Sequence, residues 1–400
     1  MRARAWWAAA VVAALGLTGC SGQSAPSGAK PSAPVAGGSV SQNVPATPAA
    51  EAMSVSVAPA NGTRNVRPDT PVVVTVKNGQ VTSADLVTDD GKHLEGAVDG
   101  ASWRATDALK PTTSYTLKVT ATSGSGQTST TTSTFKTLTP QAFNRVTLVP
   151  GDDWTVGVGM PVVVNFASPV ANRKAAEKAL TVASTPSVDG AWRWMSSTEV
   201  QWRPKEYWPA GTKVKVTAAV GGVELSSGVW GRRTVTSTFA IGAAQISTVD
   251  IAKDTMTVTR NGKVIKVVPV TTGMTNSKPT FPTRGGIKVI MSREATVKMD
   301  AATTGTDPKD PNYYNLTVHW ALRLTYSGEF LHAAPWSVGS QGRANVSHGC
   351  TGMSDANAKW MYDHLQIGDV VVYKNSRRPL EWGNGYTAWN KSFSDWASGA

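Results

Sequence analysis

Short runs of Val and Thr, interrupted every few residues by Gly, Pro, Asn or Asp, dominate the chain from Met53 onward. β-Branched residues favour pleated, half-buried surfaces, and frequent turn residues keep each strand short, so this pattern predicts sandwiches of short strands. The pattern also repeats. Pro71-Val72-Val73-Val74-Thr75-Val76 matches Pro161-Val162-Val163-Val164-Asn165-Phe166, and Trp103-Arg104 with Tyr115-Thr116-Leu117 matches Trp202-Arg203 with Val214-Lys215-Val216. The offset grows from 90 to 99 residues between those pairs, so the second copy carries an insert. Asn172 to Leu180 is its expected place, because Arg173-Lys174-Ala175-Ala176-Glu177-Lys178-Ala179-Leu180 reads as helix-like. Two repeats of about a hundred residues predict two immunoglobulin-like β-sandwich modules, over residues 53–138 and 140–243. Neither copy gathers a nucleophile, a base or metal ligands. Trp103, Trp192, Trp194, Trp202 and Trp208 are read as core and interface residues, and both modules as spacers.

The start of the chain has a different character. Arg2 and Arg4 precede an apolar run from Ala5 to Leu17, which has secretory length and is too short to span a membrane. It ends in Leu17-Thr18-Gly19-Cys20, which resembles a bacterial lipobox. Residues 1–20 are therefore expected to be a lipoprotein signal peptide, cleaved before Cys20, with a lipid on that thiol anchoring the protein to a membrane. An ordinary signal peptide is the alternative. Residues 21–52 are almost entirely Ser, Ala, Pro, Gly, Val, Thr and Gln, a composition that cannot bury a core and reads as a disordered tether. The chain has two cysteines, so lipidation of Cys20 leaves Cys350 without a disulfide partner.

Chemistry concentrates between His332 and Met353. The stretch holds Cys350, two of the five histidines, and the small-residue block Ser347-His348-Gly349-Cys350-Thr351-Gly352. A thiol nucleophile needs a base, and a histidine serves when its second ring nitrogen is held by an acceptor. Gly349 lets backbone amides approach a developing oxyanion. Taken alone, the same residues also describe a buried structural cysteine beside a core histidine.

His332, the 18-residue step to Cys350 and the Ser347-His348-Gly349-Cys350 block resemble the signature of L,D-transpeptidases with a YkuD-type catalytic domain. The resemblance extends upstream. Thr255 to Thr259, an Asn261-Gly262 turn and Val264 to Val268 are similar to the family's opening hairpin, and Pro282-Thr283-Arg284-Gly285-Gly286 to its Pro-Thr-x-x-Gly stretch. The match covers roughly residues 246–373, and the layout resembles the actinobacterial branch.

That resemblance implies two-step acyl transfer. Cys350 would be the nucleophile and His332 the base and later acid, with the Ala333 carbonyl orienting the imidazole. His348 and Gly349 would shape the turn and the oxyanion hole, with Tyr314 offering a hydroxyl nearby. Met299 and Trp336 would wall the pocket, and Ser347 and Gly352 would complete the substrate-binding set. The substrates implied are peptidoglycan stem peptides joined by 3→3 cross-links, and carbapenems would acylate the same thiol. No metal and no cofactor are implied. Two positions depart from the family: Ala333 stands where serine is frequent, and Gly352 where relatives usually carry asparagine. The segment Ala301 to Tyr314 reads as a lid-like loop.

The fold expected is mainly β: two immunoglobulin-like sandwiches, a β-rich YkuD-type domain, and a Trp-rich tail over 374–400 packing back on the second sandwich. One helix is expected in the catalytic domain, capped by Ser354-Asp355, with its positive end facing the thiolate. The glycines around Asn384 argue against a helix in the tail. The formal charge of +12 fits attraction to an anionic wall, or diffuse solvated charge, better than nucleic acid in an exported, membrane-anchored protein that reaches into the wall. Hydrolysis on the same scaffold, as an L,D-carboxypeptidase or endopeptidase, and a non-catalytic wall-binding lipoprotein remain as alternatives.

Overall fold

The computed structural model describes residues 51–275, 278–304 and 306–399. The signal segment, Cys20 and all but the end of the tether lie outside them. Strands dominate. The first sandwich packs Ser54–Ala58, Val73–Lys77, Ser102–Ala105 and Gly96–Asp99 against a sheet of His93–Leu94, Gly79–Thr88, Ser114–Ser123 and Thr128–Lys136. The alternation seen in sequence is the alternation of faces: Tyr115, Leu117, Val119 and Ala121 of one strand all enter the core.

The second sandwich repeats the plan with Val146–Val149, Val162–Phe166, Glu199–Pro204 and Gly190–Trp194 facing Trp154–Val156, Val235–Ile241, Lys213–Ala218 and Leu180–Thr185. The extra residues form the helix Arg173–Lys178, capped by Asn172. Two devices recur; the sequence comparison aligned the tryptophans of the first, but neither their glycine partners nor any part of the second. In each sandwich a core tryptophan lies flat on a glycine of the neighbouring strand, Trp103 on Gly96 and Trp202 on Gly190, where a Cβ would overlap the indole ring. In each, an Asn or Asp accepts from both the amide and the hydroxyl of a threonine: Asn61 from Thr134 at 2.8 and 3.0 Å, Asp152 from Thr238 at 2.8 and 2.6 Å.

The remaining residues form a six-stranded sheet in the order Lys263–Pro269, Thr255–Arg260, Gln245–Asp250, Val370–Lys374, Arg284–Val289, Arg378–Pro379. A four-stranded sheet of Ser292–Asp300, Asn315–Arg323, Phe330–Ala333 and Thr351–Met353 packs against it. The hairpin at Asn261-Gly262 forms with both residues at positive φ, 50° and 78°, the geometry of a two-residue hairpin turn. The helix Asp355–His364 starts at Ser354, whose side chain accepts from the Asn357 amide, and it buries Ala358 and Met361 in the core between the sheets.

The second sandwich and this domain share their interiors: Val370 sits in one cluster with Val156, Val158, Met160, Phe239 and Ile241. Backbone bonds cross the junction, from Gly157 N to Ile367 O at 2.8 Å and Gly159 N to Gly368 O at 2.9 Å. The tail seals one side. Trp389 Nε1 donates to Gly159 O at 2.7 Å, Trp396 Nε1 to Ala191 O at 2.8 Å, and the Arg203 guanidinium lies under Trp389, Phe393 and Trp396. The glycines near Asn384 do break the chain, but a short helix, Phe393–Ser398, follows them, capped by Ser392; the helix-free tail is corrected to that extent.

Asp369 stands at the junction. Burial pushes its carboxyl up to about 7, and Oδ1 has no hydrogen-bond partner among the described residues, while Oδ2 accepts from Gln245 Nε2 and Gln366 N, each at 2.9 Å.

Two predictions follow from this packing. Gly190→Ala forces a methyl into the Trp202 ring and is expected to cost about 1–3 kcal/mol, read as a lower urea midpoint. Asp369 holds its proton more tightly folded than unfolded, where its value is 3.8. Its stabilising contribution is therefore complete below that value and is lost as pH rises through about 7. Asp369→Asn should raise stability at pH 8, on the order of 1–3 kcal/mol, and change little at pH 4. A variant less stable than the parent at pH 8 would contradict this account.

Candidate active site

The strand Phe330–Ala333 is buried throughout and runs parallel to Thr351–Met353, with Leu331 opposite Thr351, His332 opposite Gly352 and Ala333 opposite Met353. Alternate residues of a strand share a face, so Cys350, two before Gly352, comes to the side of the sheet where His332 stands. Both line a cavity of about 360 Å³. Met299, Tyr314, Trp336, Ser347, His348 and Gly352 line it too, so most of the residues named from sequence meet here. Ala333 contributes its carbonyl from behind.

His332 Nδ1 lies 2.7 Å from the Ala333 carbonyl oxygen. A carbonyl only accepts, so Nδ1 carries the proton and Nε2 of the neutral ring keeps its lone pair. Serine is not required at position 333 for this, because the backbone does the orienting. The imidazole is buried, which holds its pKa below the ordinary histidine value, the bond to Ala333 opposing. Trp336 stands over it with ring centroids 6.1 Å apart and is itself 60% exposed, so it shields the base from one side while facing solvent on the other.

Burial pushes the Cys350 thiol up to about 12. The Phe330 backbone N–H, hydrogen-bonded to the sulfur, pulls the other way; the Glu329 charge raises the value, and Lys288 and Arg323 lower it. The thiol donates to Gly328 O at 3.5 Å. With the acid raised and the base lowered, the pair rests as neutral thiol and neutral imidazole.

The expectation that a helix end activates the sulfur is corrected. Three strand residues, Thr351–Met353, separate Cys350 from Ser354, four extended steps or about 13 Å, and a helix dipole acts only within its first turn. The Asn357 amide is already served by the Ser354 side chain, and Asp355 occupies the first turn.

The turn before the nucleophile is held by Ser347. Its hydroxyl donates to Cys350 O at 2.6 Å and accepts from Gly349 N at 3.1 Å. Gly349 has φ +131°, a region that side-chain-bearing residues rarely adopt, so glycine is needed for the backbone itself. Its amide is thereby committed to Ser347, which corrects its expected place in the oxyanion hole. The Tyr314 hydroxyl remains as a donor on the cavity wall: burial pushes it up to about 12, so it stays protonated. His348 is wedged between Phe281, edge-on at 4.5 Å, and Tyr314 at 5.0 Å; it builds the wall, and burial lowers its pKa.

At Gly352 a Cβ would lie 2.9 Å from Ala334 Cβ and 3.2 Å from Thr271 Cγ2. An asparagine there would displace its neighbours, so Gly352 and Ala334 fit as a pair and bare backbone lines that side of the cavity. The Gly352 amide and carbonyl are each bonded to Thr271, at 2.9 Å.

A second cavity, of about 590 Å³, opens on the other side of Cys350. It shares Met299, Tyr314 and His348 with the first and adds the cations Arg284, Lys298, Arg323 and Arg378. Thr303, Thr306 and Asn312 of the segment read as a lid line it, and Asp310 of that segment is paired with Lys278. Sequence reasoning missed Thr283, which accepts from Gly273 N at 2.8 Å and donates to Gly349 O at 2.7 Å, fastening the nucleophile turn to the facing loop. The stretch containing Thr283 was visible as a motif, but its task was not. Among the described residues no group of three His, Cys, Asp or Glu side chains is placed to hold a metal ion.

Residues 63–224 match the bacterial Ig domain family, in a single span that crosses both sandwiches, and residues 244–372 match the L,D-transpeptidase catalytic domain family. L,D-transpeptidase 2 of Mycobacterium tuberculosis is 39% identical over 342 residues, covering 85% of this chain and 83% of that one. L,D-transpeptidase 5 of the same organism is 31% identical over 347 residues, covering 85% and 75%. A solved LD transpeptidase in complex with imipenem superposes with a TM-score of 0.50 at 39% identity, covering 57% of this chain and 97% of that one.

The resting protonation state is open to measurement. Alkylation of Cys350 by iodoacetamide, followed by peptide mass, should be slow at pH 7 and still accelerating at pH 10, because the thiol titrates near 12. A plateau reached near neutral pH would mean that a thiolate–imidazolium pair forms instead.

Proposed function

We propose that this chain, which belongs to the L,D-transpeptidase family and is an enzyme, cross-links peptidoglycan stem peptides 3→3 through an acyl-cysteine intermediate. The observation that carries the reading is the shared cavity of Cys350 and His332, with the ring proton of His332 pinned to the Ala333 carbonyl. That arrangement leaves Nε2 free as a base directed into the cavity.

In the first step Nε2 of His332 takes the thiol proton as the sulfur attacks the carbonyl of the third residue, a diamino acid, in a tetrapeptide stem. The carbon–nitrogen bond to the terminal D-alanine breaks, and His332 returns the proton to the departing amine. A thioester on Cys350 remains. In the second step the side-chain amine of a neighbouring stem's third residue attacks, His332 accepts its proton, and the thiol is regenerated. The proton must reach His332 before or during attack, because the pair rests uncharged. The Tyr314 hydroxyl and the Phe330 amide supply donors where charge develops.

A relative binds imipenem, and a β-lactam carbonyl presents the same electrophile to Cys350 in a strained ring. Carbapenem acylation of this chain is part of the proposal. So is its place: export, a lipid on Cys20, and the segment 21–52 as a tether carrying the folded part from the outer face of the membrane into the wall.

The test is mass spectrometry after incubating residues 53–400 with disaccharide-tetrapeptide, beside Cys350→Ala. The expected product is a dimer lacking one D-alanine, absent in the variant. Tripeptide without dimer would assign hydrolysis, by an L,D-carboxypeptidase. No product and no carbapenem adduct on Cys350 would leave a wall-binding lipoprotein.

A further inference from the structure

The segment Gly328–Phe330 borders the nucleophile: the Gly328 carbonyl accepts from the thiol at 3.5 Å, and the neighbouring Phe330 backbone N–H acts on the sulfur to hold its pKa down. Between them stands Glu329, 4% exposed. Its carboxylate pairs with Lys288, whose side chain is wholly buried, and accepts from Arg284 twice, from the backbone N–H at 3.0 Å and from the guanidinium at 3.1 Å. Arg284 is secured in turn by Glu381. The Lys288 ammonium lies 3.7 Å from the centroid of the Tyr373 ring, and the Tyr373 hydroxyl is 2.7 Å from that of Thr351, the residue after the nucleophile. One buried cluster thus grips both stretches of backbone that define the surroundings of the sulfur.

Stability alone is a weak reason for such a cluster, because a buried ion pair gains little over apolar residues of the same size. We propose that Lys288, Glu329 and Arg284 form a positioning device for Cys350, fixing the Gly328–Phe330 backbone so that the Phe330 amide stays on the sulfur as charge develops there. The proposal rests on Cys350 being the nucleophile. When His332 removes the thiol proton, the contact to Gly328 O ends, because a carbonyl has no proton to give. The Phe330 N–H bond then strengthens, since hydrogen bonds to charged acceptors are shorter and stronger. Its value depends on the amide already being in place, and that place is set by Glu329.

The test compares the whole chain with Lys288→Met/Glu329→Met, Glu329→Gln and Cys350→Ala, following acylation by imipenem at a series of concentrations. The double variant replaces the ion pair with apolar side chains of similar volume and leaves Arg284 paired with Glu381. It is expected to melt within a few degrees of the parent. Its maximal acylation rate should fall by about tenfold or more, while the imipenem concentration for half-maximal rate stays within about twofold. The Phe330 amide proton should move upfield, as a merely stabilising cluster would not require. A folded double variant that acylates at the parent rate would overturn the proposal. So would a raised half-saturation concentration with an unchanged maximum, which would assign the cluster to the neighbouring cationic cavity. If the double variant does not fold, Glu329→Gln decides: a loss of about threefold or more in maximal rate supports the proposal, and an unchanged rate overturns it. A parent that forms no adduct, matching Cys350→Ala, would remove the nucleophile reading itself and this inference with it.

Discussion

The parallel pairing of Phe330–Ala333 with Thr351–Met353 fixes His332 beside Gly352 and leaves Cys350 where the second strand begins. Parallel neighbours require a crossover, and residues 334–350 supply one that carries Trp336, Ser347 and His348 to the same cavity. A register slip of one residue would turn His332 to the opposite face. Several bonds hold the register: Thr271 clamps Gly352 by both amide and carbonyl, its hydroxyl donates to Ala344 O, and Thr283 fastens Gly349. Gly273, where a side chain would run into Phe281 O, allows the facing loop to come that close.

Within that frame the electrostatics follow from dryness. Burial raises the acid and lowers the base, so neither partner is charged until substrate arrives. Charge then appears where fixed donors already point, a condition that favours the transition state over the resting enzyme.

Much of this was legible in the chain. The strand alternation, the repeat with its inserted helix, the Asn261-Gly262 turn and the Ser354 cap are local, and local chemistry specifies them. The residues around the sulfur were legible because a short motif carries several of them together. What could not be read lies in pairings between distant positions. Glu329 and Lys288 are ordinary charged residues in sequence, and only the sheet brings them under the nucleophile. Ser347 looked like a contributor to substrate binding, and its capture of the Gly349 amide is visible only in three dimensions. The helix after Cys350 was placed correctly along the chain, yet three strand residues carry its end out of reach.

The junction of the second sandwich with the catalytic domain has glycine backbone on both sides. At Gly157 and Gly368 a Cβ would run into the opposing segment, and Val370 belongs to the sandwich's own core. The first sandwich touches the second more lightly, through Arg67, which is half exposed, pairs with Glu224 at 2.8 Å and lies over Trp230. In evolutionary terms the second sandwich and the catalytic domain form one heritable block, in which neither can be exchanged for a foreign copy without rebuilding the seam. The first sandwich contributes no residue to that seam, so exchanging it leaves the packing of the catalytic domain in place.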